Sequence, residues 1–179
     1  MRIPRFQPNI SKTLEALLWL ANACNGIDVY HLVKASFFAD KQHIAKYGRP
    51  ICGDNYDAAP YGPLSQVLCR LLRRDPIEML AIGGNGDLPF DVDRQNRVYA
   101  HREANLRRLS SSDTAALSYG LDHVKGRTFD DIFNETHEDD AYLNAYAGKM
   151  DYRYFISYQD PIKGRKILDI AQNSECAAI

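Results

Sequence analysis

The stretch from Arg49 to Pro63 limits what this chain can fold into more than any other part of it. It carries Pro50, Gly53, Pro60, Gly62 and Pro63 within fifteen residues. Proline fixes φ and lacks an N–H, and glycine leaves the backbone unrestrained, so no helix runs through such a segment. Short extended pieces around a turn are what remain. The flanks read differently. Leu14, Leu17, Leu18 and Ala21 recur at i, i+3, i+4, i+7 and predict a first helix, capped by Ser11 and ended by Asn25-Gly26. Asp28 caps a second helix that runs to about Tyr47, with Val29, Leu32, Val33, Ser36 and Phe37 as its buried stripe and Gly48 as its terminator. The short turn between them makes these helices an antiparallel or crossed pair. Pro63 suits the first position of a third helix, because the N–H it lacks would be unpaired there. Leu64, Val67, Leu68, Leu71 and Leu72 give that helix its apolar face.

Beyond it the pattern breaks again. Gly83 to Asp87 reads as a flexible loop, and Phe90 to Ala100 as a short hairpin turning at Asp93 to Asn96. Gly83, Gly84 and Gly86 do not form a phosphate loop, since no G-x-x-x-x-G-K-[ST] or strand–loop–helix unit surrounds them. Ser110 with Asp113, and Thr128 with Asp131, make two capping-box starts for helices. A further short helix is expected over Asp139 to Ala147, then an aromatic stretch from Tyr152 to Tyr158, and a last helix after Pro161. The expected fold class is helix-rich α+β with one or two small β-hairpins. The expected organisation is one domain over 1–179, its core about 11–150, with the aromatic tail and last helix in 151–179.

Bulk properties exclude several roles. With 179 residues the chain is long enough to bury about 70% of the surface that it exposes unfolded. A net charge of −1 gives no general attraction to phosphate or anionic lipid. Cys24, Cys52, Cys69 and Cys176 form no C-x-x-C pair, so neither a zinc knuckle nor a redox pair is expected. The first apolar run, Leu14 to Cys24, contains Glu15 and Asn22 and does not read as a signal peptide. No stretch reaches the roughly 20 apolar residues of a membrane span. A cytoplasmic protein without cofactor or metal is expected.

The order Phe37-Phe38-Ala39-Asp40-Lys41-Gln42-His43, Tyr47-Gly48-Arg49-Pro50-Ile51, Gly53-Asp54, Tyr56, Ala58 or Ala59, Tyr61-Gly62-Pro63 and Thr136-His137-Glu138-Asp139 resembles the Panacea domain, the SocA-type antitoxin family. The resemblance covers roughly residues 11 to 150. It departs from the family where Tyr142 stands at the usual tryptophan position, and between Asp75 and Leu109. It implies an antitoxin that neutralises a protein toxin encoded beside it, by direct binding or, as in the SocA case, by delivery to the ClpXP protease. Gly48, Pro50, Gly53, Asp54, Gly62, Pro63, Thr136 and His137 are then structural motif positions.

Several residues are candidates for chemistry or contact. Asp40 and His43 share a helix face and read either as part of a polar contact site, as two metal ligands, or as a local hydrogen-bonded helix end. His137 beside Glu138 and Asp139 reads as a general base of a small hydrolase or as a capped, hydrogen-bonded imidazole. No nucleophile elbow accompanies it, which favours the second reading. Arg94, Arg97, Arg102, Arg107 and Arg108 form a basic segment, and Asp130, Asp131, Glu135, Glu138, Asp139 and Asp140 an acidic one. The basic run is the only feature that favours operator DNA, so an autoregulator is the runner-up and nucleic acid is not the expected partner. Tyr142, Tyr146, Tyr152, Tyr154 and Tyr158 are five of eleven tyrosines, and interfaces enrich tyrosine. The expected contact surface combines the Arg49–Tyr61 loop with the aromatic tail. Arg49, Tyr56, Tyr61, Tyr152, Tyr154 and Tyr158 supply it, with Asp40 and His43 beside them. Arg49 would grip a carboxylate, and Tyr56 and Tyr61 would be anchors.

Overall fold

The computed structural model describes residues 5–83, 88–156 and 161–174. Among them are helices α1 (Ile10–Ala23), α2 (Val29–Tyr47), α3 (Gln66–Leu72), α4 (Pro76–Ala81), α5 (Ser111–Val124), α6 (Phe129–His137), α7 (Asp140–Leu143) and α8 (Pro161–Ser174). Strands β1 (Ile27–Asp28), β4 (Phe90–Val92) and β5 (Arg97–Ala100) make an antiparallel sheet in the order β1-β5-β4. Strands β2 (Tyr56–Ala59) and β3 (Gly62–Ser65) make a separate hairpin. The protein is a helix-rich α+β fold.

Helix starts follow local side-chain chemistry. Asp28 accepts the His31 N–H, and both capping boxes, Ser110 with Asp113 and Thr128 with Asp131, are formed. The first helix differs from expectation: Asn9, not Ser11, caps it by accepting the Lys12 N–H. Gly48 ends α2 at φ 71°, a left-handed conformation that suits glycine. A Cβ there would also lie 2.7 Å from the Ile170 side chain of α8.

Helix α2 is the central element. Leu32, Ala35, Phe37, Ala39 and Ile44 are fully buried on it. Its main neighbour is α5, not α1, which leans instead on α3, α5 and β5. The expected pairing of the first two helices is therefore corrected: adjacency in the chain does not decide which faces match. Gly120 decides this one. A Cβ on Gly120 would come within 2.1 Å of the Ala35 carbonyl oxygen and 3.0 Å of the Ala39 Cβ. Glycine against two alanines lets the α2 and α5 backbones touch.

Three further expectations change. Pro63 lies in β3, and the third helix starts at Gln66. The carboxylate of Asp54 accepts the Val67 N–H at 2.9 Å and the Leu68 N–H at 3.2 Å, so a distant side chain caps α3 where the N-cap Ser65 makes no such bond. Helix α4, opened by Asp75 with proline in its first turn, precedes the stretch read as loop and was not expected. The helix expected over Asp139 to Ala147 is only α7, a single turn capped by Asp139. The hairpin at Phe90 to Ala100 forms with its turn at Asp93 to Asn96, and Ile27–Asp28 joins it as an edge strand.

Candidate partner-binding surface

The proline-rich segment is held from beneath by buried polar side chains. Asp40 is 3% exposed, and its carboxylate accepts the Ile51 N–H at 2.7 Å and the Tyr56 hydroxyl at 2.8 Å. Burial pushes its pKa up to about 7, although both hydrogen bonds act the other way. Asp54 receives the Asn55 N–H and the Ser65 hydroxyl as well as the α3 amides, and burial again raises its pKa. The Tyr152 hydroxyl donates to the Asp54 carbonyl.

His43, fully buried, faces the Arg49 carbonyl through Nδ1 at 2.7 Å and the Ser112 hydroxyl through Nε2 at 3.1 Å. Burial lowers its pKa, so the ring is neutral, donates from Nδ1 and accepts at Nε2. Its 3.3 Å approach to Asp113 is then not an ion pair. Arg49 lies 3.3 Å from Asp113, which Lys12 also reaches at 2.9 Å. Burial would raise the Asp113 pKa, but the Lys12 ammonium and the Ser110 N–H outweigh it and hold the carboxyl low.

These contacts correct four expected contact residues, one of them the expected anchor Tyr56. Asp40, His43, Tyr56 and Tyr152 are 0–6% exposed and bonded within the chain, so a docking partner does not reach them. Tyr56 and Tyr152 pack with Phe37, Phe155 and Phe6, because an aromatic pair buries more apolar area in the core than on a loop. Asp40 and His43 bond to different groups and do not converge on a metal, and no metal-binding group exists among the described residues. The Arg49 guanidinium lies 3.3 Å from the Asp113 carboxylate and keeps a 31% exposed side chain. Residues 152–155 form a 3₁₀ turn, in which Tyr152 turns in and Tyr154 is 37% exposed. Tyr158 lies outside the described residues, as do Gly84, Gly86 and Cys176.

What remains on the surface is the tip of the β2–β3 hairpin. The two-residue loop Pro60–Tyr61 projects Tyr61, which is 67% exposed. Three side chains pin the backbone around it. Tyr142 donates to the Ala59 carbonyl at 3.0 Å, His137 Nε2 faces the Pro60 carbonyl at 3.2 Å, and Lys34 donates to the Pro63 carbonyl at 2.8 Å. Gly62, at φ 90°, lies so close to α6 that a Cβ would be 2.6 Å from the Thr136 hydroxyl. Thr136 is fully buried and bonds back to the Ile132 carbonyl. Tyr61-Gly62-Pro63 and Thr136-His137, far apart in the chain, thus form one joint, with Tyr142 completing it.

Rings continue outward from that joint. Phe129, Phe133 and His137 follow one another at i, i+4, i+8 on α6, and stack at 5.6 Å and then 3.8 Å between centroids. Tyr30 closes on Phe129 at 4.6 Å, and Tyr61 sits 6.2 Å from it. Phe129 is 42% exposed. Next to this ridge is a groove of about 570 Å³, whose walls include Tyr30, Lys34, Tyr61, Leu64, Arg73 and Asn96. Lys34 is 2% exposed, and burial pushes its pKa down to about 8. The sequence offered no sign of this groove, because a lysine within an amphipathic helix ordinarily reads as solvated.

The two charge runs are partly consumed inside the fold. Arg102 grips the buried Glu15 carboxylate at 2.8 and 2.9 Å, and Arg97 donates to the Gly26 carbonyl. Arg94, Arg107 and Arg108 stay exposed. Asp131 caps α6, and Asp139 pairs with Lys41. His137 Nδ1 faces the Phe133 carbonyl, so the ring is held by backbone oxygens and not by a carboxylate. No helix among the described residues is long and apolar enough to cross a membrane.

No curated protein and no solved structure matches the chain. The profile of one family does, described as antitoxin SocA-like, Panacea domain, over residues 32–142. That span begins in α2, ends in α7 and takes in both halves of the hairpin joint. It is more than half of the 179 residues, and the chain therefore belongs to the SocA-like antitoxins with a Panacea domain.

Proposed function

We propose that this protein is an antitoxin that neutralises a cognate protein toxin by binding it directly, with Tyr61 and Phe129 as the anchors. The observation that carries the reading is the pinned hairpin tip. Tyr61 stands two-thirds exposed on a loop whose neighbouring carbonyls are held by Tyr142 and Lys34, with the His137 ring lying against Pro60. A large ring on an already ordered backbone loses little entropy on docking, which is the economy that preorganised interfaces exploit. Phe129 and Phe133 extend the apolar area beside it.

The test is rescue of growth. The open reading frame next to this gene is expressed with and without the antitoxin, in cells with and without a ClpXP-type protease. Direct occupation predicts rescue in both backgrounds, whereas delivery to the protease predicts rescue only where the protease is present. The double variant Tyr61→Ala, Phe129→Ala should lose rescue. Two hot-spot rings at about 2 kcal/mol each would cost several hundredfold in Kd if their contributions add. Its thermal midpoint should stay near that of the wild type, because both rings are substantially exposed.

A further inference from the structure

The groove beside the aromatic ridge holds two cations that pair with no carboxylate among the described residues. Lys34 donates to the Pro63 carbonyl and lies 5.1 Å from the centre of the Tyr30 ring, and no carboxylate among the described residues pairs with it. An ammonium has three donors, so this one has capacity left. Arg73, exposed at the end of α3, also pairs with no carboxylate among the described residues. Asp28 is the acid on the groove wall, and it is engaged by His31 through both ring and backbone. The Tyr30 hydroxyl is buried and finds no hydrogen-bond partner among the described residues. Buried donors without acceptors are costly, and such groups in a cleft point to a missing ligand.

The rest of the lining sets the class of ligand. Leu64 and Val92 give the walls an apolar character, and the side-chain amides of Gln95 and Asn96 make no hydrogen bond to the described residues. A free amide both donates and accepts, as an extended peptide backbone requires. The volume of about 570 Å³ lies within the roughly 300–1,000 Å³ of ligand clefts. A nucleic acid backbone would bring one charge per nucleotide against apolar walls, which this lining does not suit.

We propose that this groove receives an extended segment of the protein partner, whose apolar side chains cover Leu64 and Val92 and whose aspartate or glutamate is met by Lys34 and Arg73. The inference rests on the antitoxin reading above and adds to it a second contact, charged where the Tyr61 ridge is apolar. The lowered pKa of Lys34 adds a signature. A carboxylate brought to it favours the ammonium form, so binding near pH 8 takes up protons.

The test uses the full chain and two probes. The first is the product of the neighbouring gene, and the second a set of overlapping 12-residue peptides that span it. An acidic peptide is expected to bind, to lose about tenfold or more in affinity when its acid is changed to the amide, and to bind more weakly to Arg73→Glu. Lys34→Met should abolish the proton uptake, read by calorimetry in two buffers of different ionisation enthalpy. Because Lys34 also holds the hairpin, Arg73→Glu at an exposed position serves as the main variant, and Val92→Trp, whose residue packs on the core, is used with its thermal midpoint measured beside the wild type. If the whole partner binds the wild type and both of these variants within twofold, the groove is not used and the proposal falls, while the antitoxin reading stands. If the wild type binds no neighbouring product at all, both fall together.

Discussion

Asp40→Asn is expected to make the stability of this protein less sensitive to pH, and the sign follows from where the proton resides. In the folded chain Asp40 keeps its proton up to about pH 7, whereas an unfolded chain releases it near 3.8. Between these values the folded state binds more protons, so stability falls as pH rises. The shift is about three pKa units at 1.36 kcal/mol each, which makes the decline at most about 4 kcal/mol from pH 4 to pH 8. Asparagine resembles the protonated acid. Its Oδ1 can still accept the Ile51 N–H, and its amide can donate to the Tyr56 oxygen. Near pH 4 the two proteins should therefore agree within about 1 kcal/mol. The variant should then gain on the wild type with each pH unit. Asp113 and His43 shift in both chains and cancel in the difference, and Asp54 cancels to first order. Urea unfolding of both proteins at pH 4.5, 5.5, 6.5 and 7.5 measures it. Parallel curves would refute the claim that Asp40 is a buried, protonated support of the turn segment.

Other substitutions test the joints. Gly120→Ala gains about 1 kcal/mol of helix propensity but forces a Cβ to 2.1 Å from the Ala35 oxygen, and overpacking of about 1–3 kcal/mol or more should win. A thermal midpoint at or above wild type would contradict the α2–α5 crossing. Gly62→Ala meets both a φ of 90° and the Thr136 hydroxyl at 2.6 Å, and should destabilise by more than about 1 kcal/mol in denaturant titration. Arg102→Ala removes the bidentate partner of Glu15, 5% exposed, and leaves it the Asn105 N–H and the more distant Arg108, so a loss of about 1–3 kcal/mol is expected in the same assay. If Arg102→Ala is neutral, the bidentate pair does not form in solution.

What could be read in the sequence was mostly what is local. Asp28, the two capping boxes and Gly48 act within four residues of the helix end that they set, and each stands where its spacing placed it. The Asp93–Asn96 turn carries its own chemistry and was legible for the same reason. Burial is not local. Tyr56 and Tyr152 look like interface tyrosines by composition, and only the meeting of α2, β2 and the 152–155 turn shows them to be core. Pro63 fits a helix start on propensity, yet a hairpin that must clear Thr136 takes it into a strand. Of the candidate surface, Tyr61 was legible because Pro60 and Gly62 flank it. Phe129, Tyr30 and Lys34 were not, since their roles depend on α6 and α2 lying against the hairpin. The one longer-range signal was the order of motifs, in which Tyr61-Gly62-Pro63 and Thr136-His137 proved to touch.

We propose that the ring-bearing face at Tyr61 and Phe129 is where this chain holds another protein. Isothermal titration of the purified antitoxin with the product of the neighbouring gene measures it, using wild type and the double alanine variant side by side. A saturable complex is expected with wild type, and at least a hundredfold weaker binding by the equally stable variant, on the order of two lost hot spots. Equal affinity for the two proteins would contradict it.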